Sequence, residues 1–111
     1  MSLKLIKLQR VVEEFRKLDP EMQAQTMLAF MFCAEKEESG TPATVKEVGN
    51  YLEVTSASAS RNIAALCEVS RHRRPGHDLL ATYENPEYRV EKLIRLTDKG
   101  KNFVKKLEGF I

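Results

Sequence analysis

The stretch Val48-Gly49-Asn50-Tyr51-Leu52-Glu53-Val54-Thr55-Ser56-Ala57-Ser58-Ala59-Ser60-Arg61-Asn62-Ile63-Ala64-Ala65-Leu66 decides how this chain folds. It holds the parts of two short helices joined by a tight turn. Gly49 is a small residue where the helices cross, and Val54 is an apolar plug for the turn. Ala59, Ile63 and Leu66, spaced by four and three, are apolar anchors on the second helix. What remains on that helix is small or hydrogen-bonding: Ser56, Ala57, Ser58, Ser60, Arg61, Asn62 and Ala65. A helix that enters a DNA major groove needs this combination, little bulk with a few donors near its first turns. Either Thr55 or Ser56 caps its start. Ser58, Arg61 and Asn62 are the better candidates to touch bases, because arginine forks onto guanine and asparagine onto adenine. For each, the plain alternative is an exposed surface residue.

The flanking segments are read by their period. Leu5, Leu8, Val12 and Phe15 predict a helix over 3–18. Met22, Met27, Leu28, Phe30, Met31 and Phe32 predict a second over 20–37, whose broad apolar coverage marks it as the core helix. Asp19-Pro20 reads as its N-cap with proline at the first helical position, and Glu35-Lys36-Glu37-Glu38 as its solvated end. Val45, Val48 and Leu52 predict a third helix over 43–52, and the fourth runs over 56–68. Residues 79–84 and 89–96 read as a hairpin around the turn Glu84-Asn85-Pro86-Glu87. In its second strand Val90, Ile94 and Leu96 share one face, and Arg89, Glu91 and Arg95 the other. Thr97 caps a last helix striped by Phe103, Val104, Leu107, Phe110 and Ile111. The expected fold is mainly α with a small β-hairpin, a winged helix-turn-helix with the helix-turn-helix at 43–68 and the wing at 79–96.

At 111 residues the chain has the length of one domain, 1–111, with enough material for one modest core. Its 42% hydrophobic and 31% charged residues fit a soluble globular protein rather than a disordered one. No apolar run approaches the ~18 residues of a membrane span. Met1-Ser2-Leu3-Lys4-Leu5-Ile6-Lys7 alternates charged with apolar residues, unlike a secretory leader. A cytoplasmic protein with no membrane partner is expected. Two cysteines, Cys33 and Cys67, suit a reducing compartment. The net charge of +2 hides an asymmetry: residues 1–55 hold 7 Lys/Arg against 9 Asp/Glu, and residues 56–111 hold 11 against 7. The basic half permits an anionic partner without requiring one.

The helix-turn-helix stretch, together with Glu84-Asn85-Pro86-Glu87-Tyr88-Arg89-Val90-Glu91-Lys92-Leu93-Ile94-Arg95-Leu96-Thr97-Asp98-Lys99-Gly100-Lys101, resembles the MarR family of bacterial winged-helix regulators. Leu96-Thr97-Asp98-Lys99-Gly100 is similar to the family's junction from wing to final helix, and Ser60-Arg61 with Leu66 is similar to its recognition helix. The resemblance covers about residues 20–110. It implies a homodimer held by the terminal helices, here 3–18 and 97–111. It implies the helix 56–68 in the major groove and the wing on the backbone or minor groove. Three features depart from the pattern. The family's wing-tip aspartate and arginine fall on Tyr88 and Val90, with Arg89 between them. Residues Val69 to Asp78 are inserted before the wing. The segment after the wing, 97–111, stands where the family has two longer helices.

The insertion brings Arg71, Arg73 and Arg74 beside the recognition helix, either as a phosphate clamp or as a solvated loop. The DNA-facing set is therefore Ser56, Ser58, Ser60, Arg61, Asn62, Arg71, Arg73, Arg74 and Arg89. Cys67, His72 and His77 are spaced by five and match no tight zinc pattern, so neither metal nor cofactor is expected. Cys33, among Met31, Phe32 and Ala34, reads as a buried inert thiol. There is no phosphate loop and no nucleophile motif, and an enzyme is not expected. A DNA-binding transcription regulator is the first reading; a winged helix that docks proteins without DNA specificity is the second. A small-molecule effector is left unassigned.

Overall fold

Phe15, Phe30 and Phe103 meet edge to face, with ring centroids 5.1–6.0 Å apart. This geometry suits the aromatic quadrupoles. The rings come from the first two helices and the last, so the two ends of the chain meet in the core. The computed structural model describes residues 3–68 and 75–111. Helix α1 spans Leu3–Leu18, α2 Ala24–Glu38, α3 Val45–Leu52, α4 Ser56–Leu66 and α5 Asp98–Glu108. Strands β1 (Leu80–Asn85) and β2 (Tyr88–Leu96) form an antiparallel hairpin between α4 and α5. The fold is the expected winged helix-turn-helix.

Local chemistry explains where the elements begin. Thr44 and Glu47 form a reciprocal capping box on α3: Glu47 N–H donates to Thr44 Oγ1 at 3.1 Å, and Thr44 N–H to Glu47 Oε1 at 3.0 Å. Thr55 caps α4 by accepting from Ser58 N–H, and Thr97 caps α5 by accepting from Gly100 N–H. The start of α2 is a correction. Asp19-Pro20 opens a turn instead of a helix: Met22 N–H donates to Asp19 O, Glu21 N–H donates to Asp19 Oδ1, and α2 begins only at Ala24. Asp-Pro suits both structures, and here the aspartate turn prevails.

The third helix starts two residues later than expected because Ala43 and Thr44 pair with the wing. Thr44 bridges Leu93, and Ile94 N–H donates to Ala43 O at 2.9 Å. The acidic end of α2 is also more than a solvated tail. Glu37 Oε1 accepts from Leu96 N–H at 2.8 Å, and Lys36 pairs with Glu47 at 3.3 Å. These contacts hold α2, α3 and the base of the wing together.

Two further ties place the hairpin. His77 N–H donates to Ala65 O, Asp78 N–H to Cys67 O and Leu79 N–H to Leu66 O, at 2.7–3.2 Å, so the entry to β1 runs along the end of α4. At the exit, Gly100 lies against the backbone of Leu79, where any Cβ would run into the Leu79 carbonyl oxygen. The glycine of the Leu96–Gly100 junction is thus required by close approach.

On α1 the buried residues are Val11, Glu14 and Phe15, towards its C-terminal half. Its first turns project Leu3, Leu5, Leu8 and Val12 to the surface. No helix of the described residues is long and apolar enough to cross a membrane.

Candidate nucleic-acid interface

α4 carries two faces. Ala59, Asn62, Ile63 and Leu66 point inward and are buried. Ser56, Ala57, Ser60 and Arg61 are exposed, and Ser58 is half-buried. The outward face is small and hydroxyl-bearing with one arginine, as the residue types predict. The turn that sets α4 against α3 places Glu53 in the left-handed region (φ 57°), and Val54 N–H donates to Gly49 O at 3.0 Å. A Cβ on Gly49 would stand 3.5 Å from that of Ala59, an ordinary contact, so this position needs a small residue rather than glycine itself.

Asn62 is the correction to the sequence reading. Its side chain lies at 6% exposure. Thr26 Oγ1 donates to Asn62 Oδ1 at 2.6 Å, and Asn62 Nδ2 donates to the Ser58 carbonyl at 3.0 Å. With its amide used inside the protein, Asn62 cannot meet a base edge. The signal was present, since position 62 falls on the i, i+3, i+4, i+7 stripe with 59, 63 and 66.

Facing α4, the wing closes a groove. Lys46 from α3, Ser56 and Ser60 from α4, and Tyr88, Val90 and Lys92 from β2 line it. Lys46 and Lys92, absent from the sequence-derived set, line it with Ser56 and Ser60, and so does Glu91. Only their place beside the groove identifies them, because the hairpin had to fold back first. At the wing tip the register shifts between Glu84 and Asn85. The Asn85 amide organises this bulge: Nδ2 donates to Glu91 Oε1 at 2.9 Å, and Oδ1 accepts from Glu87 N–H at 3.0 Å. Tyr88, Arg89 and Val90 consequently stand out from the tip, with Tyr88 61% and Val90 77% exposed. Val90 is therefore not buried with Ile94 and Leu96, which lie at the other end of the strand. Arg71, Arg73 and Arg74 lie outside the described residues, as does His72.

The tip carries Glu84, Glu87 and Glu91 beside Arg89 and Lys92. Glu84 pairs with Lys92 at 3.8 Å. Neither thiol is poised for thiolate chemistry. Burial pushes Cys33 up to about 12. Burial, and then the nearby Asp78, raises Cys67.

No family model and no curated protein matches the sequence. Solved structures do match. S. aureus MepR in complex with DNA superposes with a TM-score of 0.71 at 15% identity, over 92% of this chain and 73% of that one. MepR belongs to the MarR family, as do BpsR, PcaV and YusO. The fold is MarR-like. The same MarR-like arrangement appears in YusO of Bacillus subtilis, with a TM-score of 0.64 and 18% identity over 97% of this chain and 67% of that chain. It appears again in the PcaV transcriptional regulator of Streptomyces coelicolor, solved with its natural ligand (TM-score 0.61, 15% identity, 91% and 67% covered). Within the MarR-like frame, α3 and α4 are the helix-turn-helix and the β1–β2 hairpin is the wing.

Proposed function

We propose that this chain is a sequence-specific, double-stranded DNA-binding transcription regulator that acts as a homodimer. The outward face of α4 carries this reading: Ser56, Ala57, Ser60 and Arg61 are exposed and, arginine apart, small, and Lys46 and Lys92 line the same groove as Ser56 and Ser60. α4 enters the major groove, where Arg61 forks onto a guanine and the serines donate or accept at neighbouring edges. Ser58 lies half-buried behind that edge and contributes at most from its margin. The wing runs over the backbone or minor groove with Arg89 at its tip. Lys46, Lys92, Arg71, Arg73 and Arg74 neutralise phosphates. The MepR complex with DNA supports the reading by likeness of fold. The work is recognition, with no catalytic step, in the cytoplasm.

The dimer seam is α1 with the last helix, the segments 3–18 and 97–111. Leu3, Leu5, Leu8 and Val12 on α1 make an exposed apolar stripe of the kind that mates with a second copy, and Ile111, after α5, is exposed too.

Fluorescence anisotropy of a mixed-sequence duplex at about 50 and 200 mM salt tests the DNA reading, because several phosphate contacts change affinity by orders of magnitude over that range. Steep salt dependence is the expected result. The apolar and acidic wing tip, with Tyr88 and Val90 exposed beside Glu84, Glu87 and Glu91, favours a second reading as a protein-docking module. Absence of binding at the lower salt would select it.

A further inference from the structure

Thr26 of α2 and Asn62 of α4 are 36 residues apart in sequence and buried against each other, at 7% and 6% exposure. Around them the two helices bury Ala29, Phe30, Ala59, Ile63 and Leu66. Apolar packing is non-directional, and alanines in particular let one helix roll on another. A hydrogen bond is directional and fails within a few tenths of an ångström of its range. Asn62 is held at both ends of its amide, by Thr26 Oγ1 at 2.6 Å and by the Ser58 carbonyl at 3.0 Å. Ser60 and Arg61 are exposed; at 3.6 residues per turn Ser60 lies on the opposite side of the helix from Asn62, and Arg61 about a quarter-turn away.

We propose that the Thr26–Asn62 hydrogen bond sets the roll of α4 and so aims Ser60 and Arg61, making Thr26 and Asn62 positioning residues for DNA discrimination. This role rests on the DNA-binding reading above. A helix with its side chains is about 10–12 Å across, so a roll of about 20° moves its outer atoms by about 2 Å. That displacement takes a forked arginine off its base edge while leaving phosphate contacts through flexible lysines available.

The rival role is plain structural support, and stability separates the two. Replacing both partners of a buried neutral hydrogen bond by apolar groups of the same shape leaves stability nearly unchanged. The experiment first enriches a preferred site from a randomised duplex library with the unaltered protein. It then compares the Thr26→Val/Asn62→Leu double variant with the unaltered protein on that duplex and on a scrambled duplex, alongside thermal unfolding. The expected result is a discrimination ratio reduced by about tenfold or more, with the melting temperature and scrambled-duplex affinity little changed. A double variant that discriminates as the unaltered protein does overturns the proposal. If the double variant does not fold, Thr26→Ser and Thr26→Val replace it. Serine keeps the donor and the discrimination, and valine loses both; equal discrimination by the two overturns the proposal. Failure of the unaltered protein to enrich any sequence removes the DNA reading before a variant is made, and this role with it.

Discussion

Lys106 of α5 reaches Glu14 of α1 at 3.1 Å, and Lys17 reaches the same carboxylate from the other side at 2.7 Å. Glu14 is only 5% exposed, so a buried anion clamped by two ammonium groups joins the first helix to the last. Its hydrogen bond to Lys17, and then that to Lys106, hold its carboxyl below the usual carboxylate range. Because the folded pKa is depressed, the unfolded chain takes up the proton first. The stabilisation is complete above the ordinary carboxylate range and is lost as pH falls through the folded value. Glu14→Gln should therefore be less stable than the unaltered protein at neutral pH, with the difference closing in acid. Thermal unfolding of both across that range measures it, and a gap independent of pH would remove the ion cluster as its cause.

Bases and phosphates should respond differently to substitution. Arg61→Ala should weaken binding to a preferred duplex by about 1–3 kcal/mol and relax specificity at one position. Lys46→Gln and Lys92→Gln should weaken all duplexes alike and lower the salt slope by about 0.9 each. Anisotropy titrations over a salt series separate the two patterns. An Arg61 variant with unchanged affinity would place the base contacts elsewhere on the helix.

The exposed stripe on α1 is open to a test that spares the core. Leu8 and Val12 are exposed on the helix that buries Phe15. Leu8→Glu/Val12→Glu should keep the helical circular dichroism of the unaltered chain and sediment as a monomer, against a dimer for the unaltered chain. Equal masses would show that α1 is not the seam.

Gly100 should tolerate no side chain. A Cβ there collides with the carbonyl of Leu79, and backbone has little freedom to yield. Gly100→Ala should cost about 1–3 kcal/mol, the range for overpacked sites, and chemical denaturation reads it directly. Gly49→Ala, where the added Cβ meets only ordinary contacts, should cost less. A reversal of that order would contradict the packing of the wing exit.

Much of this fold was legible because period and capping agree. α1 occupies the predicted 3–18, and the apolar anchors Ala59, Ile63 and Leu66 and the plug Val54 lie where their spacing puts them. What escaped depends on partners far along the chain. Residue type made Asn62 look like a surface donor although its spacing with Ala59, Ile63 and Leu66 put it inward; its partner, Thr26, on another helix, was not legible. Glu37 looked solvated because its partner is the backbone of Leu96, 59 residues away. The Asp19-Pro20 turn was a local ambiguity. At the candidate site, the exposed place of Arg61 on α4 was readable from spacing, whereas Lys46 and Lys92 line the groove only when the hairpin folds against α4.

The hydrogen bonds from residues 76–79 back to the end of α4 carry a consequence for how this protein can diverge or be engineered. Gly76 N–H donates to Glu68 O at 2.9 Å, so the two ends of the intervening chain are already joined by backbone. Helix and wing keep their relative placement through that zipper of main-chain N–H and C=O groups, and proline at 77, 78 or 79, by removing a donor, is the substitution that would open it.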